Sequence, residues 1–201
     1  MRTEDNVDAS AAGRVLSNER ELELLRQVAA GDAQAFHTLY VAYHRRLARF
    51  LTRLTRQYDV AEEVINDTLW VVWCKAPEFR GESRVSTWIM GIAYRRALKA
   101  LQRLHSVNRH LTLAAVEAET AVESPQDAAA LQEWIERALA QLPEEQRMVI
   151  ELTYYLGHSC DEVASIMDCP VNTVKTRMFH ARRKLRTLLP RLESVRSGAA
   201  S

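Results

Sequence analysis

Residues 172–183 hold the side chains best suited to reading nucleic acid. Asn172, Thr173, Lys175, Thr176, Phe179 and His180 are polar or aromatic and fall in the first half of a segment with helical period. Such groups bond or pack against base edges when a helix offers its N-terminal half to a major groove. Arg182, Arg183 and Arg186 follow, and guanidinium groups suit phosphates. A second cationic set, Arg95, Lys99 and Arg103, recurs every four residues with Arg96 beside it. It lies on a different face from Ile89, Ala93, Ala97, Ala100, Leu101 and Leu104. A basic stripe opposite a core face is what a phosphate backbone requires, although a merely solvated face looks the same.

Two further groups bracket that stripe. Asp59, Glu62, Glu63 and Asp67 make one helix acidic, with Trp70 and Trp73 near its end. Carboxylates mixed with large apolar side chains suit docking onto another protein; a stable helix with favourable N-terminal charges is the plainer reading. Phe79-Arg80-Gly81-Glu82-Ser83 puts an aromatic, an Arg and a Gly just before the basic helix. Aromatic and Arg side chains stack on unpaired bases, and Gly lets backbone come close to a ligand. Trp88 fits either the core or such a stack.

Hydrolytic or metal chemistry finds little support. His37, His44, His105, His110, His158 and His180 form no ligand motif, and neither a Gly-rich phosphate loop nor a nucleophile elbow occurs. His158, Cys160 and Cys169 are neighbours in sequence but lack an obvious fourth zinc ligand. The expectation is a chain without metal, cofactor or catalytic residues.

The elements that must position these groups are all helices. Asn18 with Glu21 three residues on suggests a capping box opening the first helix. A second starts near Asp32 and runs to about Thr55. The third takes Asp59 as N-cap with Glu62 and ends before Pro77; the fourth spans about Ser86 to Leu104. From 105 to 127 the period is lost around Glu117, Glu119, Glu123, Pro125 and Asp127, which reads as a flexible acidic linker. Helices resume at 128–141, break at Pro143, and continue over Glu144–Tyr155 to Gly157. Ser159 with Glu162 caps a short helix to Met167, and a last helix runs from Val171 to about Leu189, stopped by Pro190.

These segments give an all-α chain of two small domains: a tail over 1–16, a bundle over 17–104, the linker, a second domain over 128–192, and a tail over 193–201. Two short helices joined at Asp168-Cys169-Pro170 form a helix-turn-helix over about 159–178. Asp tolerates a left-handed turn, Pro170 presets a helix start, and small Ala164 lets the helices cross closely.

Bulk properties agree. The chain has 201 residues, 47% hydrophobic, with 6 Gly and 5 Pro, which favours helices over turn-rich sheets. Net charge is only +1, yet 171–196 is strongly basic while 111–130 is acidic without a single base. Cys74, Cys160 and Cys169, an odd number at irregular spacing, suit free thiols in a reducing cytoplasm. No apolar run reaches a membrane span, so a cytoplasmic protein without membrane insertion or small-molecule substrate is expected.

Several motifs together carry a resemblance. Leu142-Pro143-Glu144-Glu145-Gln146-Arg147, Glu162-Val163-Ala164, Thr173-Val174-Lys175-Thr176-Arg177 and Ala181-Arg182-Arg183-Lys184-Leu185 resemble region four of extracytoplasmic-function (ECF) sigma factors of bacterial RNA polymerase. Asp59 through Thr68, Phe79 through Ser83, and Ser86-Thr87-Trp88-Ile89 resemble region two of that family. The resemblance implies a non-catalytic factor that directs core polymerase to promoters. Its implied −35 site is Asn172, Thr173, Lys175, Thr176, Arg177, Phe179, His180, Arg182 and Arg183. His180 stands where relatives often carry Arg, and Asn172 where they often carry Gly. Loop 79–83 is implied to capture a base flipped from the melted −10 element, with Arg95, Arg96, Lys99 and Arg103 gripping the strand. Asp59, Glu62, Glu63 and Asp67 are implied to bind the clamp helices of the largest polymerase subunit. An anti-sigma partner is a further implication. A stand-alone helix-turn-helix regulator is the competing reading.

Reach supports the two-site reading. Promoter elements about two turns apart lie on the order of 60–70 Å from one another. A tether of roughly 20 residues extends about 66–72 Å.

Overall fold

Helix starts follow from local chemistry, with two departures from the expected caps. The computed structural model describes residues 16–108 and 134–198. Helix α1 covers Asn18–Ala29, and its cap is Ser17, whose hydroxyl accepts from the Arg20 amide. Glu21 takes no part in a capping box. It is buried, at 2% exposure. Helix α2 covers Ala33–Thr55 and is capped as expected by Asp32, which accepts from the Gln34 and Ala35 amides at 2.8 and 3.1 Å. Helix α3 covers Tyr58–Lys75 from an uncapped Gln57, so Asp59 lies in the first turn and not at the cap. A carboxylate there still favours the positive end of the helix. A 3-10 turn at Ala76–Glu78 holds Pro77, and α4 runs over Val85–Asn108, four residues past the expected end.

The described residues divide into two compact units either side of about residue 110. In the first, α2 is the central helix and α1, α3 and α4 pack round it. Leu39, Tyr43, Leu47 and Leu51 of α2 are fully buried, as are Ile65 and Val72 of α3 and Ile89, Ala93 and Ala97 of α4. Each such Leu, Ile or Val side chain contributes about 1.5–3 kcal/mol on burial. Small Ala93 and Ala97 let α4 approach its neighbours closely. Ala100, Leu101 and Leu104 are half-buried toward its end.

Glu21 is where this packing meets electrostatics. Burial raises its carboxyl above the usual carboxylate range. The Tyr43 hydroxyl, the Arg46 and Arg84 guanidiniums and the Ser86 amide oppose that shift without cancelling it. Arg46 lies 3.5 Å away, and Ser86 belongs to the first turn of α4. The carboxyl thus ties α1 to α2 and to the start of α4. The same burial, with Glu21 nearby, pushes the Tyr43 hydroxyl well up. A raised carboxyl favours folding fully below its unfolded value of 4.5 and loses that contribution as pH rises through the folded value. Glu21→Gln should therefore gain melting temperature relative to the natural chain as pH is raised from about 4.5 to 8. A difference that stays flat across that range would show desolvation does not dominate.

The second unit begins, among the described residues, with a helix over 134–140, α5. Pro143 precedes α6, Glu144–Ile150. The chain then widens into a π-turn, Glu151–Tyr155, where the Leu156 amide bonds Glu151 oxygen at 3.2 Å and the His158 amide bonds Leu152 oxygen at 3.0 Å. The sequence pattern predicts a plain helical continuation there. Gly157, at φ +73°, ends the turn. Helix α7, Cys160–Met167, opens with the expected capping box: Ser159 accepts from the Glu162 amide at 3.2 Å, and Glu162 accepts from the Ser159 amide at 2.8 Å. Asp168 takes the left-handed turn at φ 51°, and the Asp168 and Cys169 amides share the Ala164 carbonyl. Ser159→Ala should lower this unit's stability by about 1 kcal/mol, read as a denaturant midpoint shift at unchanged slope. No shift would mean the cap bonds contribute nothing net.

Helix α8 runs over Val171–Gly198, straight through Pro190 instead of stopping before it. A proline removes one ladder bond, and good helix formers on both sides, such as Leu189, Arg191 and Leu192, can outweigh that. The helix-turn-helix core is closed by Val163, Ile166, Met167, Val174, Met178 and Ala181, all buried. The described residues contain no strand, and no described helix is long and apolar enough to cross a membrane. The expected linker lies mostly outside the described residues, apart from 105–108 at the end of α4.

Candidate functional site

Helix α8 advances about 100° per residue, and that rotation sorts its side chains into three arcs. One arc, centred on Val174, Met178 and Ala181, is core. The opposite arc is exposed and carries Asn172, Thr176, Phe179 and Arg183, with Lys175 and Arg186 along one edge. Phe179 stands 61% exposed, His180 meets its ring edge-on at 5.5 Å, and the Arg183 guanidinium lies 6.0 Å over it. Such an exposed aromatic between His180 and Arg183 has no folding role to explain it. The Thr176 hydroxyl donates to the Asn172 carbonyl at 2.9 Å, and Thr173 is half-buried.

The flanks between these arcs are tied down. On one, Arg177 pairs with Glu145 of α6 at 2.7 Å, is only 20% exposed, and donates to the Cys169 sulfur at 3.6 Å. Lys184 donates to the Gln141 carbonyl at 2.6 Å, just past α5, where the helix dipole favours a cation. On the other flank, Arg182 donates to the Tyr154 hydroxyl from above that ring. Arg177 is thus turned toward its own protein, not toward the face that carries Lys175 and Phe179. The pairings made by Tyr154, Glu145 and Gln141 have no sequence signal, because they act across 28, 32 and 43 residues of chain.

In the first unit the acidic helix presents Asp59 and Glu63 outward, on nearly one line with Trp70, which is 64% exposed. The other two carboxylates are engaged. Glu62 lies 3.4 Å from His44 Nε2, and Asp67 accepts from Arg96 at 2.6 Å. Trp73 turns inward, edge-on to Phe36 at 5.1 Å. The Asp67–Arg96 pair is half-exposed and contributes under about 1 kcal/mol, but it joins the carboxylate-bearing helix to the basic one.

Arg95, Lys99 and Arg103 form an exposed row on α4, with Arg96 leaning away from it toward Asp67. The preceding loop brings Phe79 against Trp88, ring centres 5.1 Å apart and tilted by 53°. Trp88 thereby packs against Phe79 while both rings remain half-exposed. Arg80 and Glu82 stand about four-fifths exposed, 4.0 Å apart, with Ser83 half-buried beside them. Gly81 turns the loop at φ +74°, and open space surrounds it, so conformation and not crowding selects glycine.

The His158, Cys160 and Cys169 trio is not assembled: His158 is buried with Nδ1 3.8 Å from Glu162, whereas Cys169 faces Arg177. Among the described residues no three His, Cys, Asp or Glu side chains are grouped to hold a metal ion.

Comparisons with known proteins fit this geometry. The Sigma-70 region 2 family matches residues 39–107, which are α2 from Leu39 through nearly all of α4. The Sigma-70 region 4 family matches residues 132–185, up to the exposed arc of α8. The chain is 32% identical over 170 residues to the ECF RNA polymerase sigma-E factor of Escherichia coli K12, covering 79% of this chain and 88% of that protein. To the RNA polymerase sigma-H factor of Pseudomonas aeruginosa it is 28% identical, covering 84% and 93%. A solved complex of the sigma factor RpoE with the anti-sigma factor NepR from Bartonella quintana aligns with TM-score 0.56 at 25% identity, over 86% of this chain and 95% of that one. The two helical units are therefore sigma regions 2 and 4, and the chain belongs to the ECF RNA polymerase sigma factors.

Proposed function

We propose that this sigma factor holds core RNA polymerase through α3 and reads a promoter at two places. On this reading the exposed arc of α8 enters the major groove of the −35 element as duplex. Loop 79–83, with Phe79 against Trp88, takes a base from the melted −10 strand, and Arg95, Lys99 and Arg103 follow its phosphates. Arg96 reaches that strand only by leaving Asp67. Asp59 and Glu63 meet the clamp helices of the largest polymerase subunit, with Glu62 and Asp67 behind them. Residues 105–127 span the two sites. The chain catalyses nothing itself and acts in the cytoplasm, where polymerase is. An anti-sigma partner fits the same picture, since the Bartonella quintana relative is bound by one.

The observation that carries the reading is the exposed arc of α8. Its polar and aromatic side chains face outward with Lys175 and Arg186 exposed along one edge, while Arg177 and Lys184 on the opposite flank are bound to their own protein. Low net charge agrees. Two weak DNA contacts become strong only when polymerase holds both in register, a multivalent effect. Transcription with purified core polymerase on a genomic promoter library tests it. Start sites chosen only when the chain is present support the proposal. Tight duplex binding by the chain alone, with no effect on polymerase, would favour a stand-alone regulator.

A further inference from the structure

The Tyr154–Arg182 pair lies where the π-turn before α7 meets the flank of α8. No motif along the chain gives Tyr154 a task. It is 57% exposed although aromatic, and its ring lies beneath the Arg182 guanidinium, 5.6 Å from centroid to carbon. The Arg182 Nη2 donates to the hydroxyl oxygen. That bond uses an oxygen lone pair and leaves the phenolic proton to be donated elsewhere. Arg182, with five N–H groups in a planar fork, keeps four of them. Together the two side chains present donors to a single outside acceptor, and their mutual contact fixes both before it arrives.

The surroundings identify the acceptor. On α8, Lys175 lies one seven-residue step before Arg182 and Arg186 one turn after it, both exposed. No carboxylate lies on α8 between Val171 and Leu189. The matching acceptor is an anion, repeated along a line, at the edge of the helix face that reads bases: a phosphodiester of the duplex backbone. The π-turn supplies the position, because its extra residue per turn rotates Tyr154 relative to the helix that precedes it.

We propose that Tyr154 is a positioning residue for −35 recognition: it holds Arg182 and donates its own hydroxyl proton to the same backbone phosphate, which sets the register of α8 in the groove. This rests on the −35 reading of α8 given above. The phosphate contact would carry no sequence information, only placement.

The test uses the full chain assembled with core polymerase. Binding is measured to promoter fragments in which single −35 phosphates are replaced, one at a time, by uncharged methylphosphonates. The natural protein should lose about tenfold in affinity at one phosphate, as expected for a charge-assisted hydrogen bond. Tyr154→Phe keeps the ring under Arg182 and removes the hydroxyl. It should bind the natural promoter several-fold more weakly and lose less affinity than the natural protein when that same phosphate is neutralised, with its melting temperature unchanged. Arg182→Gln should lose sensitivity at the same position. A Tyr154→Phe protein that retains the full natural pattern overturns the inference. A natural holoenzyme that does not distinguish a scrambled −35 sequence overturns the −35 reading itself, and the inference with it.

Discussion

Replacing Asp59 and Glu63 together by lysine should lower binding to core polymerase by roughly a hundredfold, about 3 kcal/mol. Both carboxylates are exposed and lie on one line of α3 beside exposed Trp70. On the docking reading, their reversal presents the partner with four units of changed charge. It leaves the unit's own core alone, because Val64, Ile65, Leu69 and Val72 hold the helix from the other side. Far-ultraviolet dichroism should stay that of the natural chain, and the melting temperature should fall only slightly, by the helix-dipole interaction that Asp59 loses. The choice of positions matters. Reversing Glu62 or Asp67 would also set a cation against His44 or Arg96, and weakened binding would then mix docking with packing. Co-elution with core enzyme and competition against the natural chain give the readout. A double variant that competes equally well would remove α3 from the docking surface.

The second large effect belongs to α8. Lys175→Ala with Phe179→Ala should reduce open-complex formation on a full promoter by roughly thirtyfold or more, since each base-specific interaction is worth about 1–3 kcal/mol. The reduction should vanish on templates whose −35 sequence is scrambled, where the natural protein gains nothing from those side chains. Stability is not the route. Both residues are exposed, neither fills a cavity, and alanine favours helix. If the double variant still prefers the natural −35 sequence to the scrambled one, α8 does not read it.

What can be read from the chain itself follows the range of the interactions concerned. The helix-turn-helix is legible because its determinants are local: Ser159 and Glu162 three residues apart, Asp168 at a left-handed turn, Pro170 before α8. The exposed arc of α8 is legible too, since polar and apolar residues separate at helical period. The fate of individual cations is not. Arg177, Arg182 and Arg96 look alike in sequence, yet partners 32, 28 and 29 residues away bind each of them. Caps mislead where a pattern has a second use. Glu21 sits at capping-box spacing but is drawn inside by Tyr43, Arg46 and the first turn of α4. Pro190 reads as a stop, although one missing ladder bond does not outweigh helix formers on both sides. The π-turn has no local signature, and without it nothing marks Tyr154.

The division of α8 into restrained flanks and an unburdened outer face has a consequence over evolutionary time. Arg177 and Lys184 hold the helix in place by bonds to their own protein, so on the −35 reading proposed above Asn172, Thr176, Phe179 and Arg183 can be exchanged without dismantling the domain. Descendants of a duplicated gene can thus acquire new target sequences through a few surface substitutions while inheriting an intact scaffold, and divergence of regulons is decoupled from the risk of misfolding.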